Sequence, residues 1–256
     1  MTRRFGWAVA PAVAIAAVAA GAARAETATI AVATNFARPL EALAPAFAAA
    51  SGHTIAMAAA STGQLYAQIR QGAPFDVFLA ADAERPAALV AEGAAVAASR
   101  FAYAYGRLVL LSRSPAATGE DCLEFLRAGG GHIAIANPTI APYGRAARET
   151  LEALGLWPEV AGRIVQGNDV GQTFAFVATA NAEAGFVALS QVIAAADPAG
   201  PGCRWDVPAG LHAPIEQQAV LLVHGAGNAA ALAFLTFMRS AEAQATIRAF
   251  GYGTTP

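Results

Sequence analysis

The chain has 256 residues, of which 56% are hydrophobic and 13% charged, with 16 basic against 18 acidic side chains and a formal net charge of −2. Every basic residue other than histidine is arginine, and no basic stripe gathers on one segment, which argues against a nucleic-acid partner. Apart from the N-terminus, no apolar run approaches the ~18 residues that a membrane-spanning helix needs.

The first 25 residues read as a leader rather than as fold. Arg3 and Arg4 precede an apolar stretch that ends in Ala23-Arg24-Ala25, an A-x-A cleavage signature. A secretory signal peptide cleaved after Ala25 is expected, with the mature chain in the periplasm. Losing Arg3, Arg4 and Arg24 would take the net charge from −2 to −5. What remains is about 230 residues, enough for one large domain or two lobes.

From Thr29 the pattern alternates. Short β-prone runs (Thr29–Ala33, Thr54–Ala58, Phe75–Ala80) are separated by helix-length segments, as in βαβ units of a mostly parallel sheet. Two strand-to-helix junctions carry polar groups, Thr34-Asn35 and Ser61-Thr62-Gly63. Asp82 is placed to cap the following helix, which ends near Gly93. Tyr103 to Ser112 reads as one long strand, and CLEFLRAG as a short helix closed by glycines. HIAIANP is a buried strand, TIAPYG a turn, and RAARETLEALG a helix stopped at Gly155.

Arg163–Gln166 is the next expected strand, followed by the turn Asn168-Asp169-Val170-Gly171 and the helix QTFAFVATANA. AGFVAL is a strand, SQVIAAA a helix, and DPAGPGCRWDVPAG a loop. IEQQAVLLV is a strand, and the C-terminus is helical. This order fits two interleaved lobes, with the chain crossing near Tyr105 and returning near Asp206.

The four polar turns, at Thr34-Asn35, Ser61-Thr62, Pro142-Tyr143-Gly144 and Asp169-Val170-Gly171, all sit at helix N-termini, whose free N–H groups and dipole favour an anion. Helix capping explains each turn equally well, so spacing alone names no ligand. His53, His132, His212 and His224 are scattered, and no G-x-S-x-G elbow, Walker loop or G-x-G-x-x-G follows a strand. Asp76 and Asp82 need only turn and capping roles. Tyr66, Tyr103, Tyr105 and Tyr143 lack the acids or histidines of a tyrosinate iron site. No catalytic residue and no cofactor are expected. Cys122 and Cys203 could form a disulfide in an oxidising compartment, but their separation in sequence leaves this open.

The motifs VATNF (32–36), ASTGQLYAQIRQGAPFDVFLAAD (60–82), RFAYAYGRLVLLS (100–112), HIAIANPTIAPYG (132–144), NDVGQ (168–172) and AGFVALSQV (184–192) together resemble the periplasmic molybdate-binding proteins of bacterial ABC importers, which are type II periplasmic binding proteins. The resemblance implies an α/β fold of two lobes, each a mostly parallel sheet flanked by helices, with 26–104 plus 206–256 in the first lobe and 105–205 in the second. It implies a tetrahedral oxyanion, molybdate or tungstate, bound between the lobes by hydroxyls and backbone N–H groups without a counter-charge. Carried onto this chain, the donors are Thr34, Asn35 and Thr62, with Ser61 adjacent, in the first lobe, and the backbone N–H groups of Tyr143 and Val170 in the second. Some relatives reach the anion with a tyrosine where this chain has Ala188, and here Asn35 would serve instead.

The implied partner is a membrane permease, the implied state a monomer, and the implied role a receptor rather than an enzyme. A receptor for sulfate or phosphate, and an enzyme on the same fold, are the alternatives. Arg38 and Arg145 are expected to be solvated or to stabilise a lobe.

Overall fold

The computed structural model describes residue 2 and residues 25–114, 122–129, 131–195 and 202–253. The expected leader, apart from residue 2 and Ala25, lies outside them. Among the described residues no helix is long and apolar enough to cross a membrane.

The chain begins with β1 (Thr27–Ala33), α1 (Ala37–Ser51), β2 (Thr54–Ala60), α2 (Thr62–Arg70), β3 (Val77–Ala80), α3 (Glu84–Ala91) and β4 (Phe101–Gly106). It continues through β5 (Leu108–Ser112), α4 (Cys122–Arg127), β6 (Ile133–Ala136), α5 (Pro142–Ala153), α6 (Trp157–Val160), β7 (Ile164–Gly167), α7 (Val170–Ala178), β8 (Ala184–Ala188), α8 (Leu189–Ala194) and β9 (Cys203–Asp206). The last elements are β10 (Ile215–Leu221), α9 (Ala229–Phe237) and α10 (Ala241–Ala249).

These strands form two sheets of five, ordered β2-β1-β3-β10-β4 and β7-β6-β8-β5-β9. In each sheet three parallel strands are followed by one that runs against them, β10 in the first and β5 in the second, and the edge strand beyond it, β4 or β9, pairs antiparallel with that reversed strand. The expected α/β architecture is present, with one reversed strand in each sheet that the alternating pattern did not reveal. Helices cover both faces of both sheets, as a buried parallel core requires. Phe36, Leu40, Phe47, Phe234 and Ile247 pack on one face of the first sheet, and Leu65, Phe78 and Leu89 on the other. In the second sheet Ile135, Leu151 and Phe186 face one core, and Val109, Val177 and Val192 the other.

Three sequence expectations change. The run Tyr103–Ser112 is two strands in different sheets, because the chain leaves the first sheet after Gly106 and enters the second at Leu108. The supposed loop around Cys203 contains β9, which pairs with β5 from Ser112↔Cys203 to Val109↔Asp206. Asp82 is not the immediate N-cap of α3; that position is Ala83, although the Asp82 carboxylate still accepts the Arg85 N–H at 3.0 Å. The chain returns from the second sheet between Asp206 and Ile215.

Cys122 and Cys203 are bonded to each other, with Cα atoms 5.6 Å apart, tying α4 to the edge strand β9. Asp76, at the head of β3, is 4% exposed and accepts from the Thr29 N–H, His224 Nδ1 and Asn228 Nδ2. Asp76→Ala would leave these donors without their buried acceptor. A loss of about 2–4 kcal/mol in urea unfolding is expected, since breaking a buried charged network costs several single bonds at once.

Candidate anion-binding cleft

Four helix N-termini meet between the two sheets. The first sheet contributes Thr34 and Asn35, on the turn leading into α1, and Ser61 and Thr62, at the start of α2. The second contributes Pro142 and Tyr143 at the start of α5, and Asp169 and Val170 at the start of α7. Each helix begins where a strand ends, so the chain direction of β1, β2, β6 and β7 aims all four at one place. Backbone N–H groups in a first helical turn have no partner within the helix and carry the positive end of its dipole. Pro142 at the first position of α5 removes an N–H that would have no use there and leaves the Tyr143 N–H next in line.

Two hydroxyls complete the donor set. Thr62 Oγ1 accepts the Ala81 N–H at 3.1 Å, and Thr34 Oγ1 accepts the Gly171 N–H at 3.3 Å from across the cleft. With these lone pairs engaged, the proton of each hydroxyl is left to donate. Thr62 is 1% exposed, so its donor is already withdrawn from bulk water. The space these groups surround offers about 10 Å³ to the centre of a water-sized body, far below the ~300–1,000 Å³ of an organic-ligand pocket. No arginine lines it.

The remaining predicted residues divide by what their side chains do. Ser61 is a helix cap: its hydroxyl donates to Gln64 Oε1 at 2.9 Å and accepts the Gln64 N–H at 3.3 Å. The S-x-x-Q spacing of a capping box was present in the sequence and would have identified that role. Asn35 is 2% exposed, and its Nδ2 donates to Gln217 Oε1 at 2.9 Å and to Tyr252 Oη at 3.0 Å, behind the cleft. Its backbone N–H, rather than its amide, is therefore the group the first turn offers to a ligand. The Tyr143 hydroxyl likewise points away, accepting Gln217 Nε2 at 3.2 Å. The Val170 carbonyl accepts Gln191 Nε2 at 3.1 Å, which fixes the start of α7. Asp169 turns its carboxylate to the Gln172 N–H at 2.9 Å.

Burial drives the phenols of Tyr103, Tyr143 and Tyr252 well above their ordinary range. They remain neutral donors at any physiological pH, which is the opposite of what a tyrosinate metal site requires. Tyr66 is on the surface, donating to Glu92 at 2.6 Å. Arg38 pairs with Glu41 at 2.7 Å, and Arg145 reaches across to Glu84 at 3.2 Å.

Residues 28–253 match the family of bacterial extracellular solute-binding proteins. The chain belongs to that family. It is 46% identical to the molybdate-binding protein ModA of Rhodobacter capsulatus over 224 residues, which is 88% of this chain and 87% of the relative. It is 43% identical to the molybdate-binding protein ModA of Azotobacter vinelandii over 231 residues, 90% of this chain and 91% of that one. The solved Azotobacter vinelandii periplasmic molybdate-binding protein superimposes with a TM-score of 0.84 at 42% identity, covering 90% of this chain and all of the other.

Several bonds join the segments that lead from the two sheets. Gly63 N–H donates to the Ile140 carbonyl at 2.8 Å, Arg85 Nη2 to the Thr139 carbonyl at 3.0 Å, and Ser190 Oγ to the Asn35 carbonyl at 2.8 Å. Arg85 is held in place by its ion pair with Asp82. None of Gly63, Arg85, Ser190, Gln217 or Tyr252 was singled out as a site residue from sequence. Their contacts join segments distant in sequence, from 54 residues apart for Arg85 with Thr139 to 217 for Tyr252 with Asn35.

Proposed function

We propose that this chain is an exported solute-binding protein that captures molybdate, or equally tungstate, between two lobes and delivers it to the permease of an ABC importer. The observation that carries the reading is the donor set of the cleft: helix N-termini and two threonine hydroxyls around a very small space, with no cation among the lining residues. A dianion must exchange its hydration for fixed donors, and bonds to a charged acceptor are the strong ones. With the Asp169 carboxylate turned to the Gln172 N–H, the donors are all dipoles, which hold any oxyanion of the right size, so size does the selecting, and sulfate is smaller than molybdate. The proposed donors are the hydroxyls of Thr34 and Thr62 and the backbone N–H groups of Asn35, Thr62, Tyr143 and Val170, with Ser61 shaping the α2 turn.

In this reading the lobes are 26–104 with 206–256, and 105–205, closing about the two crossings of the chain as a population shift that the ligand drives through contacts to both sides. The protein works as a periplasmic monomer after cleavage at Ala25, with no cofactor and no nucleic-acid partner. Relatives in the family are receptors, and no nucleophile and base pair in this cleft supports turnover.

The test is calorimetric titration of the mature protein with molybdate, repeated with sulfate as competitor. Tight one-to-one binding that excess sulfate does not displace is expected, and displacement at equal concentration would move the assignment to sulfate. Thr62→Ala is expected to weaken molybdate binding by about 1–3 kcal/mol, the cost of a lost buried donor to a charged group. Unchanged affinity would remove Thr62 from the site.

A further inference from the structure

Behind the cleft lies a buried polar network that no capping or packing requirement explains. Its centre is Gln217 on β10, with no exposed surface, between the buried apolar residues Ile215 and Ala219 two positions to either side, while the flanking Glu216 and Gln218 are half-buried. An apolar residue would fill that position without the cost of burying an amide. The amide is engaged through both its oxygen and its nitrogen. Gln217 Oε1 accepts Asn35 Nδ2 and Tyr103 Oη, each at 2.9 Å, and Gln217 Nε2 donates to Tyr143 Oη at 3.2 Å. The pairing of β10 with β4 slips at this point, from Gln217↔Ala104 to Gln218↔Ala102, so that Tyr103 is the extra residue of a bulge. Bulges commonly re-aim a side chain beside a functional site, and this one brings the Tyr103 hydroxyl to Gln217.

The network crosses between the sheets at two places. Tyr143, from α5 of the second sheet, meets Gln217 of the first. Ser190, from α8 of the second sheet, donates to the Asn35 carbonyl and lies 2.9 Å from the Tyr252 hydroxyl. Tyr252 in turn sits 2.8 Å from that same carbonyl. Phe36 fixes both first-lobe phenols, with its ring edge-to-face against Tyr103 at 4.8 Å and Tyr252 at 5.5 Å. Gly106 is the last residue of β4 before the chain crosses to the second sheet, and a Cβ there would run into the Tyr143 hydroxyl and Gln217 Nε2. The network therefore abuts the hinge itself.

We infer that Gln217 is a positioning residue that latches the closed lobes and thereby sets the rate of ligand release. This rests on the oxyanion-receptor reading. Asn35 and Tyr143 each present a backbone N–H to the cleft and a side chain to Gln217, so the ligand and the latch act on the same two residues from opposite sides. Opening the cleft separates Tyr143 and Ser190 from their first-lobe partners and strands buried polar groups. Encounter of a free anion with the open form does not involve them. The latch therefore acts on dissociation and not on association.

The test is stopped-flow molybdate binding to Gln217→Leu and, as milder variants that each delete one hydroxyl and keep the backbone, Tyr143→Phe and Ser190→Ala. Dissociation from Tyr143→Phe is expected to rise about tenfold or more with the association rate within about threefold of wild type, the usual signature of an interface contact. The ratio of molybdate to sulfate affinity should stay fixed. Tyr143→Phe added to Gln217→Leu should change little further, because both remove the same bond. Unchanged dissociation in Tyr143→Phe and Ser190→Ala, or a loss confined to association, would overturn the latch. A wild-type protein that binds no oxyanion would instead overturn the receptor reading, a result visible before any variant is made.

Discussion

Gly63→Ala is expected to weaken molybdate binding by about one to two orders of magnitude while leaving the ligand-free protein as stable as before. Gly63 is the second residue of α2, where alanine is intrinsically the better helix former. The three atoms nearest to a Cβ there all belong to Ile140. The obstacle is the other lobe: a Cβ at Gly63 would lie 2.8 Å from Ile140 Cβ and 2.9 Å from both its Cα and its carbonyl oxygen. Backbone atoms cannot swing aside as a flexible side chain can, so the lobes must part at that edge. Parting them lengthens the 2.8 Å bond from the Gly63 N–H to the Ile140 carbonyl and draws Thr62 away from the Tyr143 turn. Overpacking of this kind costs about 1–3 kcal/mol, or roughly 5- to 150-fold in affinity. Calorimetry on the variant, with Gly162→Ala as a control at a glycine whose Cβ meets nothing within 4 Å, measures it. An unchanged dissociation constant would mean that the 139–140 turn yields freely and is no part of closure.

The fold was legible where pattern is local. The βαβ rhythm from Thr29 to Asp82, the helix closed by Gly155 at φ +71° and the turn before α7 all follow from neighbouring residues. Legibility failed where partners are distant. β9 has four residues inside a Pro- and Gly-rich stretch, and only its pairing with β5 makes it a strand. FAYAYGRLVLLS is uniformly β-prone, so its composition does not divide it into two strands, although the order of elements placed a crossing near Tyr105; at Gly106 there is no room for a Cβ beside Tyr143 and Gln217. In the cleft, the resemblance pointed to Thr34 and Thr62, since spacing alone does not separate their hydroxyls from ordinary helix caps. The orientation of Asn35 was not, since its amide is claimed by Gln217 and Tyr252, 182 and 217 residues away. Family resemblance supplies which turns converge, but it does not say whether a given side chain faces the ligand or the hinge.

Replacing both cysteines, Cys122→Ala with Cys203→Ala, is expected to lower the stability of the second lobe by about 4 kcal/mol. The bridge closes a loop with a sequence separation of 81, and loop-closure entropy for a ring of that size amounts to ~4–5 kcal/mol in the unfolded chain. The native side adds to this, because β9 is a four-residue edge strand that, among the described residues, pairs only with β5. The bridge anchors it to α4, where Cys122 and Leu126 are buried against Ile133 and Leu151. For a chain of this size each kcal/mol moves the melting temperature by ~2–4 °C, so a fall of about 8–16 °C is expected by circular dichroism. Reduction of the wild-type protein should produce the same shift. The bridge closes on the edge of the sheet, whereas Tyr143 and Val170 project from the starts of α5 and α7 at the cleft. Molybdate affinity at 25 °C should therefore survive the loss of the disulfide within about threefold, since the bridge acts on the unfolded chain and the edge strand rather than on the donors. A melting temperature that moves by less than about 2 °C would show that α4 and β9 hold together by packing alone. An affinity that collapses with the bridge would instead show that the edge strand, through β5, sets the position of the second-lobe donors.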